Sequence, residues 1–178
     1  SPDIANKLAS VPLVANFLKQ RQENKGISAP QTICDHIVVA GYGRVGTVLV
    51  KVLRDRNYKV LVIENSEAAV RGLRQDNIPY VFGDADSELV LEKAYLEKAK
   101  AIAIALPDPS STRILLKLAQ NMNPTIDIVA RSHSDKEIDI LTKLGAAEVV
   151  QPEFEAALEM GRQILDTLGE NDLEVNLA

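Results

Sequence analysis

Three glycines, one carboxylate and one guanidinium are the groups in this sequence whose spacing points to chemistry. Gly41, Gly43 and Gly46 stand at G-x-G-x-x-G spacing. Such a loop turns a strand sharply into a helix and aims backbone N–H groups and the positive helix end at a phosphate. Each glycine has its own task. Gly41 makes the tight turn, Gly43 lets a phosphate approach the backbone, and Gly46 lets the helix pack close to the sheet. Glu64 closes a second apolar run at about the 20-residue offset where a carboxylate accepts the ribose hydroxyls of an adenosine. It would repel a 2′-phosphate, which favours NAD over NADP. Arg131 directly follows a later buried strand, Thr125–Ala130, where ligand or interface residues of an open α/β sheet collect.

A glycine triplet is weak evidence unless the elements around it are right. Here they are. His36-Ile37-Val38-Val39-Ala40 reads as a buried strand, and Lys59-Val60-Leu61-Val62-Ile63-Glu64 as a second. Between them a helical pattern places Val45, Leu49, Val52 and Leu53 on one face, with Lys51, Arg54 and Asp55 off it. Ser66 is placed to cap the next helix, with Ala69, Val70 and Leu73 inward. Pro79–Phe82 reads as a third strand ending at Gly83-Asp84-Ala85, with a helix starting at Asp86 and a turn around Leu96. Ala101–Leu106 is apolar throughout, as a strand buried on both faces would be. Pro107-Asp108-Pro109 breaks it, and a helix carries Ile114, Leu115, Leu118 and Ala119. Thr125–Ala130 is the fifth strand. Ser134 and Glu137 have capping-box spacing, and Gly145 suits a helix C-terminus. Ala147–Val150 is the sixth strand.

This regular alternation predicts an α/β fold, a Rossmann-like doubly wound six-stranded parallel sheet in the order 3-2-1-4-5-6, with helices on both faces. Pro152 opens a last helix, whose apolar stripe runs through Phe154, Ala157, Leu158, Gly161, Ile164, Leu165 and Leu168. A stripe of that width needs burial, against the sheet edge or against a partner. Residues 1–35 are expected to form a separate helix and linker, residues 36–151 the nucleotide-binding domain, and residues 152–178 the final helix and tail.

The bulk properties suit one soluble domain with an appendage: 178 residues, 46% hydrophobic, net charge −5. That charge does not indicate a nucleic-acid or anionic-membrane surface. Cys34 is the single cysteine, so an intrachain disulfide is excluded. No apolar run approaches the ~18 residues of a membrane span. With no initiating methionine and no signal pattern, the chain reads as a piece of something longer.

At this point the chain resembles a known family. Val39-Ala40-Gly41-Tyr42-Gly43-Arg44-Val45-Gly46, Gly83-Asp84-Ala85, Ala130-Arg131 and Gly145–Pro152 occur in the order and spacing of the RCK domain, also called KTN or TrkA-N. That domain regulates potassium channels and transporters. Glu155-Ala156-Ala157-Leu158-Glu159 is similar to the version on Kef-type potassium/proton antiporters. The resemblance implies a regulatory adenine-nucleotide site for AMP, ADP, ATP or NAD(H), with no catalytic residue and no metal. It implies that the glycine loop with Tyr42 and Val45 wraps the phosphates, that Arg44 adds a guanidinium, and that Glu64 and Asn65 serve the ribose. Gly83, Asp84 and Ala85 would lie by the adenine, Leu106 and Pro107 would floor the pocket, and Arg131 would reach a phosphate or a second ligand. It further implies a homodimer through the final helix, a connector arriving from an integral-membrane antiporter domain of the same parent chain, and a place on the cytoplasmic side of the membrane. A free-standing Trk-type potassium-uptake subunit is a second reading. An NAD-dependent oxidoreductase is a third, but no Tyr-x-x-x-Lys pair is present and little chain after Val150 remains to build a substrate domain.

Overall fold

A computed structural model describes residues 32–170. The expected connector helix, its linker up to residue 31 and the tail after Glu170 lie outside the described residues, while Ile33, within the expected linker, is buried in the core. Six parallel strands form one sheet in the order 3-2-1-4-5-6. The elements in chain order are β1 Ile37–Ala40, α1 Arg44–Asp55, β2 Val60–Glu64, α2 Glu67–Gln75, β3 Tyr80–Phe82, α3 Glu88–Lys93, a 3-10 turn at Leu96–Lys98, β4 Ala101–Ile104, α4 Pro109–Met122, β5 Asp127–Arg131, α5 Asp135–Lys143, β6 Glu148–Val150 and α6 Pro152–Thr167.

Alternation along the strands divides the core in two. On one face Val38, Ala40, Leu61, Ile63, Ile102, Ile104, Ile128 and Ala130 meet Leu91 of α3, Leu115 and Leu116 of α4 and Leu141 of α5. On the other, Val39, Val60, Val62 and Tyr80 meet Val50, Val70 and Leu73 of α1 and α2. Among the described residues this second layer covers the β3-β2-β1 half and reaches β4 at Ala103. Ala101 and Ala103 of β4 are therefore half-buried, and Val129 and Val150 are exposed. Among the described residues, helices cover both faces on one half of the sheet only, and β4 is half-buried on its second side.

Several boundaries differ from the sequence reading. On α1 Leu49 and Leu53 pack on the core as expected, together with buried Gly46 and Val50, whereas Val52 is 54% exposed. Strand β3 begins at Tyr80, since Pro79 has no N–H to donate. Helix α3 starts at Glu88, with Ser87 at its N-cap. Strand β4 stops at Ile104, leaving Ala105–Pro107 in the loop. Strand β5 extends through Arg131, which pairs in register with Val150, while Thr125 stays in the turn before it. Ser66 accepts from the Ala69 N–H, as expected. The capping box is half made: Ser134 Oγ accepts from the Glu137 N–H, but the Glu137 carboxylate faces Arg113, with bonds of 2.7 and 2.5 Å. An ion pair there outcompetes the reach back to the N-cap, and the Arg113 guanidinium holds the Glu137 carboxyl below its usual range. Gly145 has a φ of +103° just past α5.

His36 is fully buried. Its Nε2 lies 2.8 Å from the Ala94 carbonyl and must donate to it, and its buried Nδ1 has no partner. Protonation would strand a second N–H in the core, so burial holds the imidazole below its ordinary value of 6.5. The unfolded chain therefore binds this proton more readily than the folded one. Stability should be full above about pH 6.5 and should fall as pH drops below it. Urea unfolding at pH 7.5 and 5.5 should show the loss, and His36→Gln, which can still donate to Ala94, should flatten that slope.

Candidate functional site

In an open parallel sheet, adjacent crossovers that leave in opposite directions open a crevice at the carboxyl ends of the strands. That point lies between β1 and β4 here, and a cleft of about 610 Å³ opens over it. Gly41, Tyr42 and Gly43 form one wall, Glu64 and Asn65 the next, and Gly83, Asp84 and Ala85 the far end. Leu106, Pro107 and Arg131 close the side above β4 and β5.

Gly41 has a φ of +98°, and a Cβ on it would sit 2.8 Å from the Ala105 carbonyl oxygen. A Cβ on Gly46 would sit 1.9 Å from the Gly41 carbonyl oxygen, so α1 and the turn touch through backbone alone. A Cβ on Gly43 would meet nothing within 4 Å. That open space lies at the mouth of α1, whose first turn has neither a side-chain cap nor an acidic residue. By contrast, Asp108 caps α4 through the Ser111 N–H at 2.8 Å, and Ser66 caps α2. At α3, which starts beside Asp86, Ser87 makes no side-chain cap but Glu88 stands in the first turn. Of the four helix starts around the cleft, α1 alone has neither a side-chain cap nor an acidic first turn, which is what a phosphate requires. Capping by the Ser111 N–H also holds the Asp108 carboxyl below its usual range.

Glu64 is fixed by the backbone. One carboxylate oxygen accepts from the Tyr42 N–H at 2.7 Å, and the other from the Asn65 and Ser66 N–H groups, both at 2.8 Å. A carboxylate offers about four lone-pair positions, so three are taken. One remains for a ribose hydroxyl, not the two that both hydroxyls would need. Asn65 in turn donates its amide to Asp84 at 2.8 Å, which orients that carboxylate at the far end of the cleft.

Of the residues read from sequence, Gly41, Tyr42, Gly43, Glu64, Asn65, Gly83, Asp84, Ala85, Leu106, Pro107 and Arg131 converge on the cleft. Arg44, Val45 and Gly46 do not line it. Arg44 is exposed, Val45 half-buried, and Gly46 packs beneath the loop. The reading missed Ser66, Asp86, Asp108 and Ser111, which do line it. Asp108 followed by Pro109 was a legible signal, an N-cap with proline at the first helical position. The Asp86–Ser111 hydrogen bond at 2.9 Å joins residues too far apart in sequence to pair by pattern. His133 stands at the rim, 3.4 Å from the Leu106 carbonyl. Among the described residues no group of three or more His, Cys, Asp or Glu could hold a metal ion.

Fold and cleft together define a domain of the dinucleotide-fold class, with one ligand crevice at its switch point. The chain belongs to the TrkA-N domain family, whose model matches residues 37–152. It is 36% identical over 146 residues to the putative cation/proton antiporter YbaL of Escherichia coli, covering 82% of this chain and 26% of that protein. The crystal structure of the YbaL TrkA-N domain superposes with a TM-score of 0.70 at 36% identity, over 74% of this chain and 97% of that one. The glutathione-regulated potassium-efflux protein KefC of Cronobacter sakazakii is 30% identical over 177 residues, covering 93% of this chain and 28% of that protein. The Kef C-terminal domain of Shewanella denitrificans, solved in an AMP-bound form, is 27% identical with a TM-score of 0.69, over 75% of this chain and 81% of that one. The chain thus spans about a quarter of the length of the two antiporter relatives. No helix among the described residues is long and apolar enough to cross a membrane.

Proposed function

We propose that this chain is the cytoplasmic, adenine-nucleotide-sensing regulatory domain of a monovalent cation/proton antiporter, and that it regulates rather than catalyses. The observation that carries this reading is the uncapped α1 N-terminus beside an anchored Glu64 carboxylate in a single cleft. That arrangement suits a phosphate at one end and a ribose at the other. The AMP-bound form of the Kef relative supports the ligand class, and the antiporter relatives support the parent. In this reading Gly41–Gly46 hold the phosphate by backbone, Glu64 and Asn65 serve the ribose, and Gly83, Asp84 and Ala85 frame the adenine. Arg44 lies outside the cleft wall, so its service to phosphate is electrostatic from the rim. Residues 1–35 carry the signal towards the membrane domain, residues 36–151 bind, and residues 152–178 associate. The test is ion flux through the full-length parent in proteoliposomes. Nucleotide should change the flux, and Gly43→Ala should abolish that response. Flux indifferent to every adenine nucleotide would overturn the regulatory reading.

The same reading includes a homodimer. No residue of α6 is buried, and Phe154, Met160, Ile164 and Leu168 are exposed on it. The edge-covering role weighed from sequence does not fit that exposure. Among the described residues, Val129 and Val150 form a second exposed apolar surface on the sheet. A second copy would remove both from water. Phe154→Asp with Ile164→Asp should therefore sediment as a folded monomer where the parent sediments as a dimer.

A further inference from the structure

Among the described residues Arg131 is the only cation lining the cleft. Four carboxylates line it too, at Glu64, Asp84, Asp86 and Asp108, and each is engaged by N–H or hydroxyl donors. Arg131 pairs with none of them. Its Nη2 donates instead to Glu153, in the first turn of α6. Its Nε is buried and has no partner. The two members of this pair differ sharply in exposure, 20% for the Arg131 side chain and 61% for Glu153. The guanidinium cannot easily leave, whereas the carboxylate can return to water at little cost.

We propose that Glu153 is a built-in competitor for the ligand's anionic group. It holds Arg131 in the empty cleft and gives it up when a phosphate arrives, so that occupancy of the cleft frees the first turn of α6. This rests on the nucleotide reading above and adds a route from the site to α6, a helix with no buried residue. A phosphate offers more acceptor atoms than the single oxygen Glu153 supplies, and it would satisfy the orphaned Nε as well. The coupling must be reciprocal: whatever pins Glu153 to Arg131 weakens the ligand, and the ligand loosens α6 by the same factor.

The test uses AMP as the probe, by calorimetry and by amide hydrogen exchange. Glu153→Gln should bind AMP about fivefold or more tightly than the parent, at the lower end of ordinary coupling factors. In an Arg131→Ala background the same substitution should change nothing. AMP should speed exchange in the first turn of α6 in the parent and leave it unchanged in Glu153→Gln. A purely structural ion pair would give no tightening and no change in exchange. Equal or weaker binding by Glu153→Gln, or slower α6 exchange with AMP, overturns the inference while the nucleotide reading stands. Absence of AMP binding to the parent removes both.

Discussion

Gly46→Ala is expected to unfold the site or the whole domain, whereas Gly43→Ala should leave the fold intact and remove the ligand. The difference is geometric. The new methyl on Gly46 would lie 1.9 Å from the Gly41 carbonyl oxygen. That atom is backbone, held by a turn whose own Gly41 N–H donates to the Ile63 carbonyl at 2.9 Å. Neither partner is the free end of a side chain, so α1 must move off the sheet. Overpacking of a close-packed core costs about 1–3 kcal/mol and occasionally more, and a contact this short belongs at the upper end, about 3 kcal/mol or above. At Gly43 the added methyl has open space around it, and φ is −80°, which any residue adopts. Stability there should change by less than about 0.5 kcal/mol, as at an ordinary exposed site. The methyl would instead occupy the approach to the α1 N–H groups. Denaturant unfolding and nucleotide titration on both variants separate the two roles. Equal stability losses would show that the glycines share one task.

Glu64→Gln is the second large effect. The carboxylate accepts from three backbone N–H groups; that of Tyr42 ties the glycine loop to the end of β2, and those of Asn65 and Ser66 fix the carboxylate itself. An amide keeps one good acceptor oxygen and turns an NH2 group towards donors. Charge-assisted bonds of this kind contribute about 1.5–3 kcal/mol. We expect adenine-nucleotide affinity to fall by that amount, roughly ten- to a hundredfold. Preference against a 2′-phosphate should relax in the same variant, because the charge that repels it is gone. Retention of full affinity would place the ribose elsewhere.

Most of the fold was legible because local and global signals agree. Glycine spacing, a strand before it and a carboxylate after the next strand each constrain the same βαβ unit, and the right-handed crossover rule then leaves one strand order. What was not legible depended on partners distant in sequence. On α1 the reading placed Leu49 and Leu53 correctly but also Val52, which is apolar yet 54% exposed. Only the sheet's geometry decides that Val50 points in. The capping box formed only by half because Arg113, on another helix, claims the Glu137 carboxylate. The wall of the cleft was read from strand ends, but Asp86 and Ser111 enter it through a contact across the switch point. Arg131 was visible as a strand-end cation. Its bond to Glu153 was not, since nothing in the spacing pairs the end of β5 with the first turn of α6.

The central claim is that an adenine nucleotide occupies the cleft between the Gly41–Gly43 loop and Glu64. Calorimetric titration of the folded chain with AMP, ADP, ATP, NAD and NADP tests it most directly. The account predicts saturable binding of at least one adenine nucleotide at one site per chain, abolished in Gly43→Ala, with NAD preferred to NADP. No binding by any of the five, or NADP bound as well as NAD with Glu64 in place, would contradict it.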